Sequence, residues 1–209
     1  MRNKKMDNLT FLKNKKVLVF DLDGTIVNLT ADWPALKRIL KERYNQIYDD
    51  SCMFYSISGC LSEIVKKNDE EELLNFFDII RTYEMKNIQD TTPIDETVYF
   101  IKNKEQFNIK KGTKLAILSL NTRTTIKKSL ELARIENFFE FIIGREDVRS
   151  WKPNPEGLIK IKNHFDVKAR DMVYFGDLEN DIKTGKNAGI DAYYIDLLIA
   201  LVKKSMPNL

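Results

Sequence analysis

The chain has 209 residues, of which 43% are hydrophobic and 31% are charged, as is usual for a soluble globular protein. Its 34 lysines and arginines nearly balance 31 aspartates and glutamates, and the net charge is +3. Because the basic residues form no concentrated arm, we expect no nucleic-acid partner. No stretch resembles a signal peptide or a membrane span, so we expect a cytoplasmic protein with no membrane partner.

The two cysteines, Cys52 and Cys60, give no sign of a metal or redox site. Their spacing matches neither a zinc motif nor Cys-x-x-Cys. We therefore expect free thiols, as in proteins of a reducing compartment.

An apolar run at 17–20 ends in two carboxylates, Asp21 and Asp23, which Gly24 and Thr25 follow directly. Such a run predicts a strand buried on both faces of a parallel sheet. Open α/β sheets bind ligands at the carboxyl ends of such strands. The two carboxylates lie on the same side of an extended segment, and their repulsion requires either a cation or a retained proton. Both solutions suit phosphoryl transfer.

The next part of the chain, 28–90, predicts helices and no strand. We expect it to form a helical cap domain inserted after the first strand, with 1–27 and 91–209 forming the core domain. Thr92 and Pro93 predict the start of a further helix, as cap and first residue. The three helices of the insertion are predicted from apolar residues at helical spacing in 33–40, 61–65 and 73–83.

Later in the chain, strand-like runs alternate with helical patterns. Asn121 is the predicted cap of the helix that follows the run at 115–118, and Gly189 is a good terminator for the helix that precedes the last run. With the first strand, these runs predict an α/β fold: a doubly wound, Rossmann-like sheet of five parallel strands with an inserted helical cap. The four later runs lie at 115–118, 141–143, 172–175 and 192–195.

Polar side chains follow several of these runs. Ser119 follows the second run, Lys152 precedes a helix, and Asp177 and Asp181 follow the fourth run. Because the carboxyl ends of parallel strands meet at one rim, we expect a site for one metal ion and one phosphate. Hard carboxylate ligands without nearby histidine or cysteine favour Mg²⁺ as the cofactor. The single histidine, His164, lies far from these motifs, and we expect no catalytic role for it.

The order and spacing of these motifs resemble the haloacid dehalogenase superfamily. The resemblance is to its phosphatase branch, which includes phosphoglycolate phosphatases and β-phosphoglucomutase-like proteins, and it extends from Lys16 to about Asp196. The chain departs from its relatives at Leu120, where they often have a small polar residue, and Asn121 comes one position later. The four motifs are Asp21-Leu22-Asp23-Gly24-Thr25, Ser119, Lys152-Pro153 and Gly176-Asp177-Leu178-Glu179-Asn180-Asp181.

The resemblance implies catalytic and metal-binding roles for four acids. Asp21 would be the nucleophile that forms an aspartyl phosphate. Asp23 would be the general acid and base, and its backbone carbonyl would join the metal shell. Asp177 would be a further metal ligand, and Asp181 would bind the metal or lie next to its ligands.

The resemblance also implies a phosphate-binding set. Ser119 would donate a hydrogen bond to the phosphoryl group, and Lys152 would neutralise its charge. Asn121 or a backbone amide would supply a second contact, and Thr25 would order the turn after Asp23 or only cap local backbone. In the insertion, the residues considered for substrate contact are Trp33, Arg38, Arg81 and Lys86.

We therefore expect a Mg²⁺-dependent phosphatase that acts on a small phosphorylated metabolite, as a monomer or homodimer. Within the same superfamily, the alternative is a sugar phosphomutase. From another class, a receiver-like signalling module also has acids, a hydroxyl and a lysine on a parallel sheet. Haloacid dehalogenation is disfavoured, because it needs neither a metal nor Asp23.

Overall fold

The computed structural model describes residues 9–48 and 52–205. Five of its strands form one parallel sheet in the order β5–β4–β1–β6–β7, and β2 pairs with β3 in a separate ribbon. The α/β fold and the five parallel strands that the sequence predicts are thus confirmed. The strands are β1 (Val17–Phe20), β2 (Val27–Asn28), β3 (Thr92–Pro93), β4 (Lys114–Leu118), β5 (Phe141–Ile143), β6 (Met172–Gly176) and β7 (Asp191–Tyr194).

Helices lie on both faces of this sheet. They are α1 (Trp33–Ile47), α2 (Ile57–Lys66), α3 (Glu70–Met85), α4 (Asp95–Lys102), α5 (Arg123–Leu132), α6 (Glu156–His164), α7 (Glu179–Ala188) and α8 (Ile195–Ser205). None of the helices within 9–48 and 52–205 is long and apolar enough to cross a membrane.

Strand β1 lies at the centre of the sheet, and all four of its residues are fully buried. Its side chains alternate between two apolar clusters, as the pleat of a strand requires. Leu18 and Phe20 pack with residues of α4, α5 and α8. Val17 and Val19 pack with residues of α6 and of the helices α1 to α3. The carboxyl end of β1 is therefore held from both faces.

Along the chain, the helices α1 to α3 come after β2 and before β3, the two strands of the separate ribbon. These strands are antiparallel, with Val27 opposite Pro93 and Asn28 opposite Thr92. The chain therefore leaves and re-enters the α/β core at neighbouring positions.

The helix start predicted at Thr92 and Pro93 is wrong. Both residues belong to β3, and α4 begins at Asp95 after Ile94. The physical reason is that β3 pairs with β2 as an antiparallel strand, and the Ile94 amide donates a hydrogen bond to the carbonyl of Ile26. A threonine followed by proline is equally compatible with an edge strand.

Other helix ends follow their local signals, with two exceptions. Asp32 and Asp69 cap α1 and α3, and Gly189 ends α7 in the left-handed conformation. The predicted cap of α5 was Asn121, but the capping position belongs to Thr122. The last predicted strand residue, Ile195, instead begins α8.

The prediction of free thiols is also wrong. The structure joins Cys52 and Cys60 in a disulfide, with their Cα atoms 5.9 Å apart, a separation that such a bond normally spans. The bond ties the segment before α2 to α2 itself. The spacing of the two cysteines matches no metal or redox motif, so the sequence did not indicate that they pair. The chain turns into α2 between them, and this turn brings the sulfur atoms together.

Candidate active site

A cavity of about 450 Å³ opens at the carboxyl edge of the sheet. Asp21 follows β1, Ser119 follows β4, and Asp177 follows β6, as expected of ligand sites in open parallel sheets. The first turn of α7 adds Asp181, and the loop before α6 adds Lys152. Of the eight predicted site residues, seven line this cavity: Asp21, Asp23, Ser119, Asn121, Lys152, Asp177 and Asp181.

The eighth predicted residue, Thr25, does not line the cavity. Its side chain is fully buried, and its hydroxyl has no hydrogen-bond partner among the described residues. Thr25 therefore lies in the interior, outside the cavity lining.

Lys152 is a buried cation between two carboxylates. Its ammonium nitrogen lies 2.8 Å from Asp21 Oδ2 and 2.6 Å from Asp181 Oδ1. It also donates to the hydroxyl oxygen of Tyr174 at 3.0 Å. Burial opposes the charged form, but attraction to Asp21 and Asp181 raises the pKa of Lys152 above its ordinary value. Lys152 thus stays protonated, and removal of one partner from such a buried pair typically costs about 3–5 kcal/mol.

The carboxylate of Asp21 is held in place from two sides. Its Oδ1 accepts a hydrogen bond from the Leu22 amide at 2.7 Å, while Oδ2 contacts Lys152. The residue is only 6% exposed, and that exposure is to the cavity. Asp21 therefore offers the cavity a fixed and nearly desolvated carboxylate.

Asp23 lies in a different environment from Asp21. Its Oδ1 accepts a hydrogen bond from the Leu29 amide at 2.9 Å. Burial, with added repulsion from Asp21 and Glu84, raises the pKa of Asp23 to about 6. Asp23 can thus hold a proton near neutral pH, as a general acid must.

Two glycines allow the loops to approach this closely. Gly24 adopts a φ of +72°, and a Cβ built on it would lie 2.5 Å from Asp177 Oδ2. A Cβ on Gly176 would lie 2.3 Å from Asp181 Cγ. Any larger residue at either position would push an acid out of the site.

Three carboxylates could hold a metal ion. One oxygen from each of Asp21, Asp177 and Asp181 lies within 4.8 Å of the others. Asp177 Oδ1 is buried and has no hydrogen-bond partner in the described part of the chain. Burial, with added repulsion from Asp21 and Asp181, raises the pKa of Asp177 to about 6. An orphaned oxygen in an all-carboxylate cluster fits a hard cation such as Mg²⁺.

Both oxygens of Asp181 already accept hydrogen bonds, as do those of Asp21. Oδ1 accepts from Lys152 and lies 2.7 Å from the Tyr174 hydroxyl, and Oδ2 accepts from the Leu178 amide at 3.0 Å. The contacts of Asp181 therefore position Lys152.

The loop after β4 is tied to the inserted helices. The Ser119 hydroxyl donates to Asn121 Oδ1 at 2.9 Å, and Asn121 Nδ2 donates to Glu84 Oε1 at 3.0 Å. Glu84 belongs to α3, and its Oε2 accepts from the amide and hydroxyl of Thr122. One of the two N–H groups of the Asn121 side chain is thus engaged by Glu84, and its backbone N–H donates to the Ser119 hydroxyl oxygen at 3.3 Å.

Several polar residues at or next to the site were not predicted from the sequence. Tyr174 lies inside β6, where the apolar run hides it, and Glu84 lies on a helix distant in sequence from every motif. Arg145 lines the cavity directly after β5 and Gly144. The rule that polar residues after strands form the site could have identified Arg145.

Of the four residues of the insertion considered for substrate contact, one lines the cavity. Trp33 lines the cavity, together with Lys37, which had not been singled out, whereas Arg38, Arg81 and Lys86 are not among its lining residues. His164 stacks on the ring of Phe141 with their centroids 3.7 Å apart, away from the cavity.

Relatives named as phosphatases match most of the chain. It is 28% identical over 204 residues to a pyrophosphatase PpaX of Halalkalibacterium halodurans, covering 92% of this chain and 94% of the relative. It is also 28% identical to a phosphoglycolate phosphatase of Aquifex aeolicus, covering 83% of this chain and 81% of the relative.

A solved structure shows the same fold. The crystal structure of a predicted phosphoglycolate phosphatase from Haemophilus somnus superposes with a TM-score of 0.58 at 18% identity, covering 91% of this chain and 92% of that chain. The model of the haloacid dehalogenase-like hydrolase family matches residues 18–195. Since this match spans the sheet and all of its motifs, the chain belongs to the haloacid dehalogenase-like hydrolases.

Proposed function

We propose that this hydrolase is a Mg²⁺-dependent phosphatase that cleaves small phosphate monoesters through an aspartyl phosphate on Asp21. The observation that supports this most directly is the pairing of two acids with different partners at one cavity. Burial raises the pKa of both acids, but the ammonium of Lys152 contacts Asp21 and opposes this rise. Asp21 is also held by the Leu22 amide, whereas the pKa of Asp23 is raised to about 6 with no cation paired to it among the described residues. One acid is thus suited to attack and the other to transfer protons.

In the first step, a carboxylate oxygen of Asp21 forms a bond to phosphorus, and the bond from phosphorus to the leaving oxygen breaks. Asp23 gives its proton to that oxygen, and the alcohol departs. In the second step, Asp23 takes a proton from the water that attacks phosphorus. The bond between Asp21 and phosphorus then breaks, which releases phosphate and restores both carboxyl groups.

Lys152 and Ser119 would bind the phosphoryl oxygens during both steps. The three N–H groups of Lys152 are engaged by Asp21, Asp181 and Tyr174. Binding of a phosphate therefore requires one of these bonds to be exchanged for a phosphoryl oxygen. Because Asp181 and Tyr174 remain as anchors, the ammonium group can follow the phosphoryl group without losing its position.

The metal would be held by the side chains of Asp21 and Asp177 and by the backbone carbonyl of Asp23. The orphaned Oδ1 of Asp177 supports this assignment. When bound, Mg²⁺ supplies positive charge that stabilises the phosphoryl oxygens as charge develops.

The inserted helices would act as a cap that selects the leaving group. Trp33, Lys37 and Ser58 of this region line the cavity opposite the acids. Such a lid excludes bulk water from the reacting phosphorus. Relatives named for pyrophosphate and phosphoglycolate support a small substrate. The cytoplasmic location stays a proposal, and the disulfide between Cys52 and Cys60 is a feature more usual of oxidising compartments.

The Asp21→Asn variant should lose turnover, because an amide cannot form the acyl phosphate. We expect kcat for p-nitrophenyl phosphate to fall by more than about 10⁴-fold. The circular dichroism spectrum should match that of the wild type, because the fold is retained. The exposed Asp78→Asn on α3 is the matched control and should keep full activity. Normal release of inorganic phosphate by the Asp21 variant would show that another group is the nucleophile.

The Asp23→Asn variant should separate the two proton transfers. For an alkyl phosphate, whose leaving group needs a proton, kcat/KM should fall by about 10²–10⁴-fold. For p-nitrophenyl phosphate, the first step should survive and produce a burst of nitrophenolate, because hydrolysis of the phosphoenzyme then lacks its base.

The pH profile tests the same residue. Since Asp23 must start protonated, kcat/KM for an alkyl phosphate should fall as the pH rises through about 6. This alkaline limb should disappear in Asp23→Asn. A wild-type limb that persists unchanged in the variant would assign the titration to a different group.

The Asp177→Asn variant should bind Mg²⁺ more weakly, because the orphaned oxygen would be lost or weakened as a ligand. We expect the Mg²⁺ concentration for half-maximal activity to rise by about 10-fold or more, and calorimetry should show the same change in affinity. Glu179→Gln, two residues away and exposed on α7, is the matched control. Equal Mg²⁺ affinities in all three proteins would remove Asp177 from the metal site.

A further inference from the structure

Arg145 is a buried arginine in the wall of the active-site cavity, and the reaction proposed above does not use it. It follows β5 directly, and the whole residue is 4% exposed. Its backbone is fixed on both sides: its amide donates to the Asn121 carbonyl at 2.9 Å, and its carbonyl accepts from Trp151 Nε1 at 2.8 Å. The side chain therefore extends from a rigid part of the core.

The guanidinium group lacks the partners that its charge requires. Among the described residues, its one side-chain hydrogen bond runs from Nη1 to the Ser58 hydroxyl, at a long 3.4 Å. Nε is buried without an acceptor, and no carboxylate within 9–48 and 52–205 forms an ion pair with Arg145. A guanidinium has five N–H donors and stays charged at any physiological pH.

The acids closest to Arg145 do not fill this gap. Glu84 and Glu146 attract it through space, but neither comes within ion-pair distance. Both oxygens of Glu84 already accept hydrogen bonds from Asn121 and Thr122. Glu146 Oε1 accepts from the Arg123 amide, and its Oε2 is buried without a partner among the described residues. Burial of a charge without hydrogen-bonded partners is costly, so an acceptor entering from the cavity would relieve that cost.

We propose that Arg145 binds a second anionic group of the substrate, a carboxylate or phosphoryl group carried by the leaving group. This inference rests on the proposed phosphatase function and adds a substrate class to it. The planar fork of the guanidinium suits two parallel hydrogen bonds to such an anion. Ser58 lies beside it, and Lys37 adds positive charge to the same cavity.

The cavity has the size that this substrate class needs. Its volume of about 450 Å³ suits a small ligand rather than a polymer. Asp21, Lys152, Arg145 and Ser58 all line its wall. A compact molecule with two anionic groups could place one at Lys152 and the other at Arg145.

The test compares substrates that differ by one anionic group. 2-Phosphoglycolate has a carboxylate where ethyl phosphate has a methyl group, and inorganic pyrophosphate offers a phosphoryl group instead. Arg145→Met removes the charge at similar length, and Arg145→Lys keeps the charge without the fork. The exposed Arg149→Met in the same loop is the control variant.

For Arg145→Met, we expect kcat/KM to fall about 100-fold for 2-phosphoglycolate, pyrophosphate or both, mainly through KM. Ethyl phosphate should change by less than about threefold, and Arg149→Met should change nothing. The substrate that is affected identifies the anion as carboxylate or phosphoryl. Should Arg145→Met fail to fold, Arg145→Lys decides, with an expected fall of about 10-fold confined to the same substrates.

Two results would overturn the inference. Equal losses for ethyl phosphate and the anionic substrates would give Arg145 a general structural role, and no loss for any of them would place the second anion elsewhere. If wild-type enzyme hydrolyses none of the three, the proposed function fails separately. Calorimetric binding of 2-phosphoglycolate and ethyl phosphate to wild type and Arg145→Met then decides the inference by the same comparison.

Discussion

Repulsion between carboxylates at one rim of the sheet is the constraint on which the rest of the site depends. Asp21, Asp23, Asp177 and Asp181 all line one small cavity, and of these four acids the ammonium of Lys152 forms ion pairs with Asp21 and Asp181. The pKa values of Asp23 and Asp177 are each raised to about 6, first by burial and then by neighbouring acids. Such a cluster needs more positive charge than Lys152 supplies, and a divalent cation and a proton on Asp23 together meet that need.

The same constraint accounts for the surrounding backbone and for the coupling to the insertion. Gly24 and Gly176 leave the space in which Asp177 and Asp181 approach the end of β1. Glu84 reaches from α3 to Asn121 and Thr122, so the inserted helices hold the loop that contains Ser119. A change in the position of α3 would therefore be transmitted to the loop that contains Ser119 through three buried hydrogen bonds. The inserted helices and this wall of the cavity are thus coupled.

Local patterns predicted what depends on local physics. The buried run of β1 and the acids that follow it are visible in sequence, because strand burial and the convergence of strand ends are general properties of parallel sheets. Tyr174 and Glu84 were not predictable in this way, since only tertiary packing brings them to Lys152 and Asn121. The predictions of free thiols and of a helix start at Thr92 failed for the same reason. The disulfide between Cys52 and Cys60 and the strand at Thr92 and Pro93 each depend on a partner that periodicity does not reveal.

The most direct measurement is a crystal structure of the protein with Mg²⁺ and beryllium trifluoride, which mimics a phosphoryl group on aspartate. The account predicts beryllium bonded to a carboxylate oxygen of Asp21, Lys152 and Ser119 in contact with fluorine, and Mg²⁺ bound by Asp21 and Asp177. Beryllium on another residue, or a metal bound away from Asp177, would contradict the claim that these loops form one phosphoryl-transfer site.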